Sequence, residues 1–258
     1  MAPVIYSRLS IRALVVLASE LGAEHLFGVR DPFMMMDHEQ IRAAYEVCLE
    51  KLEQSGAITR QFEGAAIVRG DLRLIEICAE CDLYLTVDAV NCGQAEPSVV
   101  LYRQGSCWAQ LTKDGELASL TGAADGEIEE LALARLMECC KAQEAPEAQT
   151  HWSLTNELLQ HCLKDTDAGR AELLAAGMPE DAAALLLAGL ERRCGYCCVN
   201  TVHLQTRTLE SLCLVYDSDM LLRLEPGEEE TEDWIVRRST PEQIRRTLRA
   251  LVREGAPQ

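Results

Sequence analysis

The sequence predicts an α+β protein whose second half repeats the plan of its first, and three observations carry that reading. Val99-Val100-Leu101-Tyr102 leads through Cys107-Trp108-Ala109-Gln110-Leu111 to a turn and a helical segment starting near Asp125. Leu212-Cys213-Leu214-Val215-Tyr216 leads through Met220-Leu221-Leu222-Arg223-Leu224 to a helical segment starting at Pro241. Each half therefore reads helices, then an antiparallel meander, then one closing helix. The stretch 142–150 between them is short, polar and proline-containing, as a linker should be. The expected division is 1–141, a linker at 142–150 and 151–258. The two halves are expected to pack about a pseudo-two-fold axis as one domain.

The elements follow in order. Val4 to Leu9 reads as a strand and Ile11 to Leu21 as a helix. Asp37 is placed to cap a second helix, with Gln40 three residues on as its reciprocal partner. That helix runs to about Gln54 on an apolar stripe of Ile41, Tyr45, Cys48 and Leu52, and Ser55-Gly56 ends it. Residues 57–70 read as irregular or short extended structure, and 71–81 as a helix. Leu83-Tyr84-Leu85-Thr86-Val87 alternates and is rich in strand formers. Past the linker come helices at about 154–164, 168–176 and 180–193. Strands follow at 196–204, 209–216, 220–224 and 234–238. The last helix carries Thr240 as cap, Pro241 in its first turn and Gln243 closing a capping box.

Composition narrows the function. Hydrophobic residues make up 48% of the 258, enough for a sizeable core, and the formal net charge is −18 at pH 7. Nucleic acid and anionic membrane surfaces both select basic faces, so neither is an expected partner. The longest apolar run, Ala182 to Leu190, is far too short for membrane insertion. Ala13 to Ala18 is followed at once by Glu20 and Glu24, which fits an amphipathic helix and not a signal peptide. Twelve cysteines in a chain of this length read as reduced thiols, so the expected location is cytoplasmic.

Motif chemistry is thin. Two CxxC spacings occur, Cys78–Cys81 and Cys194–Cys197, with Cys198 adjacent to the second. Such spacing suits zinc, but both lie at a helix end leading into a strand, where thiols act as small hydrophobes. A redox CxxC opens a helix after a strand, the reverse of the order here. The histidines form no HExxH pair, and no nucleophile elbow, Walker loop or dinucleotide fingerprint occurs. The reading is of a non-enzyme without cofactor or metal.

Three further features stand out. Phe27 to Met36 is an apolar connection with three consecutive methionines, read as core filling in preference to an adaptable surface. Glu228 to Asp233 is an acidic run in a hairpin turn, read as a solvated loop. Arg237, Arg238, Arg245, Arg246, Arg249 and Arg253 concentrate positive charge around the last helix, read as internal neutralisation of an acidic body. The second helix with Ser55-Gly56-Ala57-Ile58 and the extended pair after it has the look of a winged-helix recognition element. Glu46, Glu50 and Glu53 on that helix would repel DNA.

Several stretches together resemble the EspG-like family of type VII (ESX) secretion chaperones. They are the strand-to-helix start at Leu9–Gly22, the run from Leu72-Arg73-Leu74-Ile75 through Leu83-Tyr84-Leu85-Thr86-Val87, and the meander-plus-helix closure used twice. The resemblance spans nearly the whole chain as a pattern. It implies a quasi-two-fold central antiparallel sheet flanked by helical bundles. It also implies a cytosolic chaperone that binds a helical secreted protein and keeps its apolar tip from aggregating. The loop between the second and third strands is a main contact in that family. Here that loop corresponds to Ala89–Ser98, with Val90, Asn91, Cys92, Gly93, Gln94 and Pro97 as the partner-binding residues. Leu83, Leu85, Val99 and Leu101 flank it, some of them facing the core. Oligomeric state, monomer or homodimer, stays open. A winged-helix-derived regulator and a thiol or zinc protein are the alternatives.

Overall fold

A computed structural model describes residues 6–60, 66–68, 73–91, 93–95, 97–123, 151–227 and 233–253. The helix expected near Asp125, the linker at 142–150 and residues 228–232 of the acidic run lie outside them. The chain forms two compact units. The first comprises Met1–Thr86, Pro97–Ile128 and Val202–Thr208, and the second Val87–Glu96, Glu129–Thr201 and Leu209–Gln258. Helices and antiparallel strands are both prominent, as an α+β fold requires.

In the first unit, β1 (Tyr6–Ser10) passes directly into α1 (Ile11–Glu20). Ser10 makes that junction possible: its Oγ accepts the Ala13 N–H at 3.1 Å, satisfying a donor that the helix start leaves over. The capping box of α2 (His38–Gln54) is as the sequence predicts, with Asp37 Oδ1 taking the Gln40 N–H at 2.8 Å and Gln40 Oε1 the Asp37 N–H at 3.2 Å. A hairpin of β2 (Ile58–Arg60) and β3 (Ala66–Val68) follows, then α3 (Arg73–Ala79). The sheet of this unit runs in the order β1-β8-β7-β6-β4, built from β4 (Leu83–Asn91), β6 (Ser98–Gln104), β7 (Cys107–Asp114) and β8 (Leu117–Ala123). Leu17, Leu52, Ile75, Tyr102, Leu111 and Leu120 form its packed centre, each at most 1% exposed. Burying such a side chain contributes about 1.5–3 kcal/mol. Tyr102 keeps its hydroxyl satisfied there by donating to the Phe27 carbonyl at 2.8 Å.

The second unit opens the same way. β9 (His151–Leu154) ends at Thr155, whose Oγ1 accepts the Leu158 N–H as α4 (Asn156–Lys164) begins. Asp165 closes α4 and caps α5 (Thr166–Ala175). After α6 (Glu180–Leu190) the strands β10 (Gly195–His203), β11 (Thr208–Tyr216), β12 (Leu221–Pro226) and β13 (Trp234–Arg238) follow, then α7 (Pro241–Arg253). The sheet order is β10-β11-β12-β13-β9. α7 carries the predicted capping box, with Thr240 N–H donating to Gln243 Oε1 at 2.8 Å and Gln243 N–H to Thr240 Oγ1 at 3.2 Å. Leu186, Ala182, Ala183, Leu173, Leu222 and Val236 make a second apolar centre.

Three elements differ from expectation. Residues 117–123 form β8 in place of a turn before a helix, and residues 151–154 form β9 where no strand is predicted. The helix expected over 180–193 stops at Leu190, because Arg192 turns left-handed at φ 57°. The Arg192 N–H donates to the Gly189 carbonyl at 2.9 Å and the Arg193 N–H to Ala188 at 2.7 Å, the paired bonds of a Schellman ending.

Candidate partner-binding loop

β4 alternates cleanly, with Leu83, Leu85, Val87 and Ala89 buried, and carries this alternation out to a tight hairpin. There Val90 pairs with Ala95 and Asn91 with Gln94 of β5 (Gln94–Ala95). Gly93 sits at φ 81°, a backbone setting that side chains rarely tolerate, so glycine is required for the turn. Gly93, Gln94 and Ala95 are exposed, and Val90 and Pro97 are half-buried. A Cβ on Gly93 would lie 3.8 Å from the Arg192 carbonyl, so the hairpin tip stands next to the left-handed end of α6.

Of the six residues singled out from sequence, Val90, Asn91, Gly93 and Gln94 fall on this hairpin. Pro97 follows it into β6, and Cys92 lies outside the described residues. The four flanking residues Leu83, Leu85, Val99 and Leu101 are all buried and face the core. Among its described residues the hairpin therefore offers backbone and the Gln94 amide at its tip, with some apolar area from Val90.

A separate apolar surface lies in the first unit. Met34 and Met35 are 65% and 85% exposed, against the expectation that the methionines fill core. The cause is a tight turn: the Phe33 N–H donates to Asp31 Oδ1 at 2.8 Å and the Met36 N–H to the Phe33 carbonyl at 2.9 Å. That turn sends Phe33 and Met36 inward and the two residues between them out. Asp31-Pro32, a turn-starting dipeptide, is the sequence signal that could have separated them.

The cysteines of the two CxxC spacings read as packing groups. Burial holds the Cys78 thiol well above its ordinary value and pushes Cys81 up to about 12. Thiols so shifted are poor nucleophiles and poor metal ligands at neutral pH. Cys197 is fully buried, and Cys194 makes weak contacts to the Leu185 and Gly195 carbonyls at 3.8 and 3.6 Å. Cys198 faces Cys213 at 3.1 Å, and that hydrogen bond drives the Cys198 thiol up, with burial adding to it, and holds the Cys213 thiol down. Among the described residues no group of three or more His, Cys, Asp or Glu side chains is placed to hold a metal ion. His25 stacks edge-on against Phe27 and His161 Nδ1 lies 2.9 Å from Glu172, both structural arrangements.

This fold is similar to that of a solved type VII secretion chaperone. The chain is similar to EspG5 of Mycobacterium tuberculosis, solved in complex with the PE25–PPE41 dimer. The likeness covers 99% of this chain and 97% of that one, with a TM-score of 0.69 and 13% sequence identity. No protein-family model and no curated protein matches the chain.

Proposed function

We propose that this chain is a non-enzymatic cytoplasmic chaperone of the EspG type that holds a helical type VII secretion substrate. The observation that carries this reading is the end-to-end likeness of fold to a chaperone solved with its PE–PPE dimer. The strand orders support it: β1-β8-β7-β6-β4 and β9-β13-β12-β11-β10 match member for member, and both first strands run through a Ser or Thr cap into a helix. That correspondence favours the quasi-two-fold repeat. No helix among the described residues is long and apolar enough to cross a membrane.

The hairpin carrying Val90, Asn91, Gly93 and Gln94, exposed at Gly93 and Gln94, is with Cys92 and Pro97 the proposed contact. It would close on an amphipathic helical tip, whose buried apolar face supplies affinity. The acidic body would repel wrong partners and steer a basic one. The test is capture from native cytosol with the whole protein as bait, followed by mass spectrometry, in parallel with a variant whose residues 90–94 are replaced by Gly and Ser. A small helix-rich protein recovered by the parent, and at least tenfold less by an equally stable variant, is the expected result. Equal recovery by both removes the hairpin from the mechanism; recovery of no helical partner removes the chaperone reading.

A further inference from the structure

Four arginines converge in the second unit on a cavity of about 310 Å³ between the β12–β13 hairpin and α7. Arg223 and Arg237 occupy directly opposed positions of β12 and β13. Like charges placed so are destabilising unless something of opposite sign stands between them. Arg238 lies at the end of β13, and Arg246 reaches in from α7. Ser239 and Thr247 complete the polar lining.

Among the described residues the carboxylates nearby do not go round. Arg223 and Arg237 divide one group, Glu225, at 3.2 and 2.7 Å. Arg238 donates to Asp181 at 2.6 Å through one terminal nitrogen, while its buried Nε has no hydrogen-bond partner among the described residues. Arg246 stands 3.7 Å from Glu242, a carboxylate that bonds Arg245 more closely at 3.0 Å. The Arg223–Arg237 pair alone carries one positive charge more than its counter-ion, and Arg246 adds to it. The start of α7, where Ser239 and the Thr240 cap lie, adds the partial positive charge of a helix N-terminus.

The chain as a whole is at −18, so a positive cavity in it is a local arrangement and not a by-product of composition. Internal neutralisation of the acidic body would call for arginines spread against carboxylates, with no empty space between them. We propose that this cavity binds a phosphoryl group, as the charged end of a small phosphorylated molecule. Guanidinium forks and hydroxyls are the donors that such an oxygen cluster selects, and a phosphate dianion matches the surplus charge. The volume exceeds that of a lone phosphate and lies at the small end of ligand sites, which leaves room for a modest carrier. This reading is independent of the chaperone role.

The test is isothermal titration of the full chain, in chloride buffer at fixed ionic strength, with inorganic phosphate, glycerol phosphate and succinate. Arg246→Gln, a change at a side chain 75% exposed and so safe for folding, and Arg237→Gln serve as variants. Saturable one-to-one binding of either phosphate probe, weakened at least fivefold by Arg246→Gln and more by Arg237→Gln, is expected. Tighter binding of glycerol phosphate than of free phosphate assigns the site to a carried group, and the reverse order assigns it to phosphate itself. Succinate binding as tightly as both, no saturable binding, or phosphate binding unchanged in both variants would overturn the proposal.

Discussion

Replacing Gly189 by alanine sets two effects against each other, and the structure decides between them. Alanine in a helix interior is favoured over glycine by about 1 kcal/mol, so propensity alone predicts a gain. A Cβ at this position would lie 2.3 Å from Val215 Cγ1, 2.8 Å from Cγ2 and 3.1 Å from Cβ. Ordinary carbon contacts fall at about 3.5–4.0 Å, so α6 would have to lift off β11 by about 1 Å. Val215 cannot swing away, since it is buried, β-branched and held near one rotamer. Overpacking of this kind costs about 1–3 kcal/mol, and the 2.3 Å approach puts it toward the upper end, which leaves a net loss of up to about 2 kcal/mol. At about 2–4 °C per kcal/mol for a chain of this size, the melting temperature should fall by several degrees. Val215→Ala alone removes two methyl groups and should cost about 2 kcal/mol. The double variant is the informative one, because the new methyl fills the space that the lost ones leave. Its stability in urea unfolding should exceed the sum of the single effects by at least about 1 kcal/mol. A stabilised Gly189→Ala, or simple additivity in the double variant, would refute the close approach of α6 to β11.

Two smaller effects are expected. Arg192→Gly should raise stability by about 1 kcal/mol, because an L side chain in the left-handed region is strained and glycine is not; α1, α2 and α5 end in the same pair of bonds with Gly22, Gly56 and Gly177 at that position. An unchanged or lowered urea midpoint would show that the exposed Arg192 side chain contributes something its backbone strain does not reveal. Stability should also decline as the solution turns alkaline. The Cys81 thiol loses its proton near 9 when unfolded and near 12 when folded, so the folded state holds the extra proton between those limits. The contribution is therefore complete below pH 9 and lost as pH rises toward 12. Comparing unfolding of the parent and Cys81→Ala at pH 8 and pH 10.5 checks this: the variant should lose less, and identical losses would exclude the thiol as the cause.

Sequence and structure agree most closely where a local signal has its own chemistry. Asp37 with Gln40 and Thr240 with Gln243 announce helix starts because side chain and backbone satisfy each other within four residues. β8 gave no such signal: Leu117 to Ala123 is rich in small residues and contains Gly122, and its strand form comes from pairing with β7 and β1. β9 is only four residues, half of them exposed, and is held by β13. Arg192 hid the end of α6 because glycine is the expected residue in that conformation. The arginine cavity was half visible. Its members on α7 and β13 stand out as a basic cluster, but Arg223 comes from another strand, and only the β12–β13 register sets it opposite Arg237. The hairpin at 90–95 was legible from Gly93, whereas the exposure of Met34 and Met35 depends on a turn that hydrophobicity cannot show.

The way each sheet closes has a consequence for biosynthesis. β1 is made first, yet its partner in the ladder is β8, and Tyr6 must wait for Leu120. At 5–20 residues per second that delay is on the order of ten seconds. The first unit waits longer still for its last piece, since it includes Val202–Thr208, where Gln205 and the Leu204 N–H both bond to Asp82. An early strand left unpaired for so long is a template for the wrong neighbour. Crowded nascent chains of this protein should therefore depend on holding factors at the ribosome.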